Sequence, residues 1–228
     1  MSKGVIYVCT TAVPGLVKLG KTETANFTQR MYNLEHDGYR NVTALKRVFA
    51  IEVEDYEKKE KMLQEIFEKS RVSNTELFAL EPSIVIQLLS SFAGTVIFPK
   101  DETKEAIFRD ATDTESSFLI PDGTYYFNRK KKSDNKTVIA KAKIDNGRWT
   151  LLEGSVLGIV EDKGGSQKAR EVRATLPMDE DGTLLADVDL GVCSPSFVGN
   201  IVMNQSNNGW SDWKNENGDP IDIYRKEE

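Results

Sequence analysis

Four side chains of different chemical type are spread through the first third of this 228-residue chain: Tyr7, Lys18, Arg30 and Glu76. The chain has one histidine, His36, so mechanisms that need two histidines, such as a two-histidine zinc site, are excluded by counting. A Ser-His-Asp triad would depend on that histidine alone, and no Gly-x-Ser-x-Gly turn accompanies it. Any catalysis must therefore use carboxylates, lysine, arginine or tyrosine, and these four residues supply one of each.

The order of apolar and turn residues predicts the elements that position these side chains. Residues 4–10 are β-branched and aromatic, as in a strand, and Pro14-Gly15 marks a turn before a second strand over 16–20. The two strands would form an antiparallel hairpin. The arginine falls in a helix predicted over 27–36, because apolar residues recur there at helical spacing. A third strand is predicted over 43–52. Further helices are predicted over 55–70 and 82–93. Gly38 is expected to end the first helix, and Asp55 is expected to cap the second.

The opening residues resemble the GIY-YIG nuclease superfamily, in the short branch found in many phage and bacterial proteins. That branch carries a hairpin that reads here Pro14-Gly15-Leu16-Val17-Lys18-Leu19-Gly20-Lys21-Thr22. The first family motif stands as Val5-Ile6-Tyr7, and the second as Lys18-Leu19-Gly20, with lysine in place of tyrosine. The downstream arginine of the family matches Arg30. The metal-binding glutamate matches Glu76 within Thr75-Glu76-Leu77-Phe78.

The resemblance, which covers roughly residues 4–93, implies a DNA endonuclease that hydrolyses phosphodiester bonds with a divalent metal. Glu76 would then bind Mg²⁺ or Mn²⁺, and the planar guanidinium of Arg30 would bind the phosphate. Tyr7 would be the base or would orient the attacking water. A phenol has a pKa near ~10, so it needs a cationic neighbour to ionise near neutrality, and Lys18 across the hairpin would be that neighbour.

Two positions depart from the family pattern. Family members often carry Glu-x-x-Leu-His in the long helix, where this chain has Glu60-Lys61-Met62-Leu63 followed by Gln64. The arginine-bearing helix has Leu34 where a histidine would lie one turn on. These departures keep a second hypothesis open, a nucleic-acid-binding or regulatory module that retains the fold without catalysis. A third hypothesis, a protein–protein adaptor, is suggested by the acidity of the chain.

The second half resembles an uncharacterised domain that often follows GIY-YIG nuclease domains, over residues 137–225. Its three tryptophans are expected to fill a small core. The matching pieces are Leu152-Glu153-Gly154-Ser155, Ala169-Arg170 to Arg173, Cys193-Ser194-Pro195-Ser196, Asn208-Gly209-Trp210, Trp213-Lys214 and Gly218. Strands are predicted over 124–128, 137–144 and 148–153, and helices over 166–174 and 196–203, the last capped by Ser194 or Ser196.

The sequence as a whole predicts a two-domain α+β protein. The first domain would span 1–98, with a small mixed or antiparallel sheet flanked by helices, and the second 123–228. Between them lies a polar linker over 99–122 that could contain one short helix. Charge is uneven: residues 1–100 hold 13 Lys+Arg against 12 Asp+Glu, while residues 101–228 hold 17 against 24. The net negative charge of the chain argues against a protein that coats nucleic acid non-specifically, but local basic patches can still bind nucleic acid.

One such patch is the run Arg129-Lys130-Lys131-Lys132 on a predicted hairpin. With nearby lysines and interleaved aromatic residues it could contact a phosphate backbone and stack bases. The alternative is a solvated hairpin tip whose lysines discourage pairing with other strands. In the first domain, Lys21 is expected to add a phosphate contact. The expected partner is DNA, with RNA not excluded.

The compartment follows from what the sequence lacks. Cys9 and Cys193 lie too far apart in sequence to suggest a disulfide framework or a zinc cluster. No stretch approaches the roughly 20 apolar residues of a membrane span, and the start lacks the features of a secretory signal. We therefore expect a cytoplasmic protein with reduced thiols and no membrane partner.

Overall fold

A computed structural model of the chain describes residues 2–36, 44–73, 75–100, 102–133, 135–162 and 165–225. The described part has an α+β fold with two antiparallel five-stranded sheets and seven α-helices, which confirms the predicted fold class. It forms two units, Met1–Ala111 and Thr112–Glu228. None of the helices in these ranges is long and apolar enough to cross a bilayer.

The first unit is built on a sheet in the order β4-β2-β1-β3-β5, with every neighbouring pair antiparallel. Its strands are β1 (Lys3–Thr10), β2 (Leu16–Glu23), β3 (Lys46–Glu54), β4 (Leu77–Ala79) and β5 (Thr95–Phe98). Its helices are α1 (Phe27–His36), α2 (Tyr56–Ile66) and α3 (Pro82–Ser90). The helix α4 (Lys104–Ser116) lies within the predicted linker. The predicted hairpin and three helices are confirmed, whereas the short strands β4 and β5 were not predicted.

The central strand β1 is buried on both faces because each face is covered by helices. Successive side chains of a strand point to opposite faces. Ile6 and Val8 therefore pack on one face in the core that includes Leu63 of α2 and Val85 of α3. The other face carries Val5, Tyr7 and Cys9, which pack against residues of α1. The burial of Cys9 fits a core thiol, and burial also raises the pKa of this thiol to about 12.

The beginning of α2 differs from the prediction. Asp55 precedes the helix with a φ of 51°, and its side chain makes no capping hydrogen bond. A side-chain cap needs extended backbone at this position, so the left-handed conformation of Asp55 explains the difference. The helix ends at Ile66, and a short 3₁₀ turn, Glu68–Ser70, follows it. The predicted stop at Gly38 and the predicted strand start at residue 43 lie outside the described residues.

The second unit has a sheet in the order β10-β6-β7-β8-β9, again antiparallel throughout. Its strands are β6 (Gly123–Lys130), β7 (Thr137–Asp145), β8 (Arg148–Leu151), β9 (Val188–Val192) and β10 (Trp213–Lys214). Its helices are α5 (Gln167–Arg173), α6 (Pro195–Met203) and α7 (Gly209–Asp212). The predicted cap of α6 is confirmed at Ser194, whose side chain accepts a hydrogen bond from the Phe197 backbone N–H.

One face of the second sheet packs on the core and the other faces solvent. Burial alternates strictly along β7, as expected for a sheet covered on one side. The core contains Trp149, Trp210 and Trp213, all fully buried, so the expectation that the tryptophans fill a core is confirmed. This alternation decides which side chains of the second unit can meet a partner.

Two buried cations lie at the carboxyl end of α6. Lys131 is 0% exposed, and its Nζ donates to the backbone oxygen of Met203 at 2.6 Å and lies 3.1 Å from Asp162 Oδ2. The Arg173 guanidinium donates to the backbone oxygens of Ile201 and Gly158. The last carbonyls of a helix lack partners within the helix and carry its negative dipole end, so both cations stabilise this terminus.

Candidate functional site

Tyr7 occupies a position that exists because its neighbour has no side chain. It lies on β1 directly opposite Gly20 of β2, and opposite residues of an antiparallel pair share a face. A Cβ built on Gly20 would lie 2.6 Å from the Tyr7 hydroxyl oxygen. The phenol ring is 1% exposed and lies over the glycine. The glycine of Lys18-Leu19-Gly20 is therefore required for the phenol to take this place.

Arg30, in the middle of α1, is the cation that contacts the phenol. Its Nε donates to the Tyr7 hydroxyl oxygen at 3.2 Å. Burial raises the pKa of Tyr7 above its usual value, and the hydrogen bond from Arg30 opposes this rise without cancelling it. The phenol is therefore protonated at neutral pH in the absence of a ligand.

Lys18 and Glu76 form an ion pair at the edge of the same face. β4 pairs with β2 so that Lys18 lies opposite Leu77, which brings the preceding Glu76 within reach of the lysine. Lys18 Nζ donates to Glu76 Oε2. The Lys18 side chain is 10% exposed and that of Glu76 is 64% exposed, so the carboxylate is open to solvent. This hydrogen bond lowers the pKa of Glu76, with a smaller contribution from Arg30, and the carboxylate is ionised at neutral pH.

These contacts correct the expected role of Lys18. We expected its ammonium to lower the pKa of Tyr7, but Lys18 lies opposite Cys9 rather than Tyr7 and donates to Glu76. The cation hydrogen-bonded to the phenol is Arg30. Lys18 therefore acts on the carboxylate of the site and Arg30 on its phenol.

Three of the four predicted site residues line one open cavity of about 1020 Å³: Lys18, Arg30 and Glu76. Tyr7 is linked to this cavity through its hydrogen bond with Arg30. An arginine fork, an ammonium and an ionised carboxylate around one cavity can bind a phosphate and a divalent cation together.

Arg71 is a residue of the cavity that sequence reasoning missed. It lines the cavity with Glu68, and its Nε donates to Glu68 Oε2 at 2.8 Å. Its guanidinium also lies 5.0 Å from the centre of the Phe78 ring. Arg71 enters the site because it forms a bridge with Phe78 of β4, a strand that was not predicted. The only sequence signal was an arginine five residues before Glu76.

Lys21 is not brought to the cavity. It lies one residue beyond Gly20 on β2, so it points to the opposite face of the sheet. There its Nζ lies 3.3 Å from Glu60 Oε2, and Gln64 donates to the other oxygen of the same carboxylate. The expected phosphate contact of Lys21 therefore has no support from its position.

The run Arg129-Lys130-Lys131-Lys132 does not form one basic patch. Arg129 forms a hydrogen-bonded ion pair with Asp212, with 2.6 Å between Nη1 and Oδ2. Lys131 is buried at the end of α6, so its ammonium cannot meet a phosphate at the surface. Lys130 and Lys132 remain exposed. Arg129 and Lys130 end β6, where neighbouring side chains point to opposite faces, and Lys131 and Lys132 lie beyond the strand.

The donor set around Glu76 fits a hard divalent cation. Within the ranges that the structure describes, no group of three or more histidine, cysteine, aspartate or glutamate side chains gathers to form a closed metal site. Mg²⁺ does not need one, since it keeps several waters and binds through one or two carboxylates plus the phosphates of a substrate. The exposed, ionised Glu76 beside an open cavity meets that requirement.

We predict that Gly20→Ala weakens both the fold and the site. The added methyl group would overlap the Tyr7 ring, which is enclosed in the core and hydrogen-bonded to Arg30, so the ring or the strand must shift. Overpacking of this kind typically costs about 1–3 kcal/mol of unfolding free energy. Urea denaturation should show a lower midpoint with an unchanged slope. An unchanged midpoint would show that the phenol does not lie against this glycine.

Comparison with known families supports a nuclease-like protein of two domains. Residues 4–93 match the family model described as the T5orf172 domain, and residues 130–225 match that of a domain of unknown function, DUF4357. The first match indicates a nuclease-like, DNA-processing role and nucleic-acid binding. The finer assignment to the GIY-YIG nucleases stays a prediction. No curated protein and no solved structure matches the chain.

Proposed function

We propose that the first unit is a divalent-metal-dependent endonuclease of the GIY-YIG type that hydrolyses phosphodiester bonds in DNA. The observation that carries the proposal is the grouping of Lys18, Arg30 and Glu76 around one open cavity. These residues are distant in sequence, and they place two cations and one anion around the same space. Their grouping follows from the pairing of β4 with β2 and from the packing of α1 on the sheet.

Each residue has a task that suits its chemistry. The planar guanidinium of Arg30 binds two oxygens of the scissile phosphate and offsets the charge that develops in the transition state. Glu76 would hold Mg²⁺ or Mn²⁺, which supplies further neutralisation of phosphate charge. Lys18 donates a hydrogen bond to Glu76, which favours the ionised carboxylate and holds it at the cavity.

Tyr7 acts through its proton in this proposal. Because Arg30 donates to the phenol oxygen, the phenol hydrogen is available to orient an oxygen atom of the substrate or of the attacking water. A base role would require the phenol to lose that proton, which its burial opposes. We therefore assign Tyr7 to orientation.

The decisive test is a cleavage assay on several nucleic acids with and without metal. The full-length protein is incubated with supercoiled plasmid, linear duplex DNA, single-stranded DNA and single-stranded RNA, in EDTA, Mg²⁺ or Mn²⁺. We expect DNA strand breaks that require the metal, stop when EDTA is added and resume with excess Mg²⁺. Intact substrates under every condition, or equal cleavage in EDTA, would reject the proposal.

A module that binds nucleic acid without cutting it is the second candidate, and Gln64 favours it. Gln64 donates to Glu60 and accepts from Arg71, and an amide cannot transfer a proton near pH 7. A relative with histidine at this position would have an additional acid or base. Binding of DNA in Mg²⁺ with no strand breaks would favour this candidate.

A further inference from the structure

The solvent face of the second sheet combines an exposed aromatic ring with lysines on both sides of it. Tyr126 of β6 pairs with Lys141 of β7 and with Lys214 of β10. Directly opposite residues of antiparallel strands point to the same face, so the three side chains form one row across the sheet. Lys141 Nζ lies 5.8 Å from the centre of the Tyr126 ring.

Two further lysines extend this row along the strands. Lys143 lies two residues beyond Lys141 on β7, and Lys130 lies at the end of β6, four residues from Tyr126. All four lysines are exposed. We call the surface formed by Tyr126 and these lysines the basic sheet face.

Positive charge is concentrated on the basic sheet face, although the second half of the chain is acidic. Residues 101–228 carry 17 Lys+Arg against 24 Asp+Glu, yet the row across β10, β6 and β7 consists of lysines around a tyrosine. Two acids also lie on this side of the sheet. Asp145 ends β7, two residues beyond Lys143 and opposite Arg148 of β8, and Asp189 of β9 accepts a hydrogen bond from Arg148, with 2.6 Å between Oδ2 and Nη2. The basic sheet face is therefore complementary to a polyanion.

The aromatic ring adds a second kind of contact. Tyr126 is 37% exposed, whereas its neighbour Tyr125 points into the core and donates its hydroxyl to the backbone oxygen of Pro121. Trp149 is also buried. An exposed ring among lysines offers a stacking platform for a base, while the ammonium groups contact phosphates.

We propose that the basic sheet face binds single-stranded nucleic acid, with a base stacked on Tyr126 and phosphates contacted by Lys130, Lys141, Lys143 and Lys214. A single strand is favoured over a duplex because the faces of bases are available for stacking only when they are unpaired. This binding is separate from cleavage by the first unit and does not depend on it.

The test measures binding of the full-length protein to a fluorescent 12-nucleotide oligo-dT in EDTA, at several salt concentrations. EDTA removes divalent metal, so the result is independent of whether the protein cleaves DNA. We expect Tyr126→Ala to weaken binding by about tenfold, and Tyr126→Phe to bind nearly as well as the unaltered protein. Each phosphate contact contributes about −0.7 to the slope of log K against log salt for single strands. The double variant K141Q/K143Q should therefore flatten this slope by about 1.4.

A charge-matched control separates this face from a general effect of positive charge. K58Q/K168Q removes two exposed lysines that lie outside the basic sheet face, one on α2 and one on α5. We expect it to leave the slope unchanged. The proposal is overturned if Tyr126→Ala binds like the unaltered protein, if the control flattens the slope equally, or if a 12-base-pair duplex binds more tightly than the single strand.

Discussion

Glu76→Gln is expected to lower the rate of metal-dependent DNA cleavage by about 10³-fold or more. Glutamine keeps the shape of the side chain and can still accept a hydrogen bond from Lys18, but it loses the negative charge that would hold the cation. Stabilisation of transition-state charge by a bound metal is typically worth several kcal/mol, which corresponds to a loss of this size. The measurement is the single-turnover cleavage rate at saturating DNA, across a range of Mg²⁺ concentrations.

Glu68→Gln is the matched control for this variant. Glu68 is a second acid on the wall of the same cavity, and its carboxylate binds Arg71. We expect its loss to change the rate only a few-fold, because it lies outside the proposed metal and phosphate contacts. The proposed metal-binding role of Glu76 would be contradicted by a Glu76→Gln protein that cleaves normally, or by a Glu68→Gln protein that is equally impaired.

Tyr7→Phe is expected to slow cleavage by about 10²-fold, and by the same factor at pH 7 and pH 9. Burial raises the pKa of Tyr7 above that of an ordinary phenol, so the phenol is protonated across this range, and its orienting hydrogen bond is equally present at both pH values. Loss of an orienting contact commonly costs about 10²-fold. The measurement is the ratio of the rates of the two proteins at each pH.

The pH dependence distinguishes the two tasks considered for this phenol. A phenolate base would become about tenfold more abundant with each pH unit below the pKa, so the deficit of Tyr7→Phe would grow steeply from pH 7 to pH 9. Such growth would reassign Tyr7 to proton abstraction. Tyr32→Phe, which alters an exposed tyrosine on α1, serves as the control and should leave the rate unchanged at both values.

The elements that sequence reasoning found are those whose pattern is local. The β1–β2 hairpin and the stripe of Phe27, Met31 and Leu34 on α1 were visible because a turn or a helical period lies within a few residues. The strands β4 and β5 have three and four residues, and they form only by pairing with distant strands at the sheet edges. Strands this short carry too little alternation to be recognised.

Which side chains contact each other in the site is also decided by strands that are far apart in sequence. The residue types of the site could be read in order along the chain, but the register of β4 on β2 decides that Lys18 meets Glu76. The same register brings Arg71 to the cavity. In the second unit, four consecutive basic residues looked alike in sequence. The fold of the second unit then gave Lys131 a partner at the end of α6 and left Lys130 at the surface.

The burial of Lys131 and Arg173 decides which positive charges of the second unit another molecule can touch. Both cations donate to backbone oxygens inside the protein, so neither can contact a phosphate at the surface, although both still count in the net charge. The exposed lysines in front of β10, β6 and β7 are grouped on one side and stay accessible. A polyanion approaching through solvent would be turned toward that one side before any contact forms, and added salt would slow its arrival.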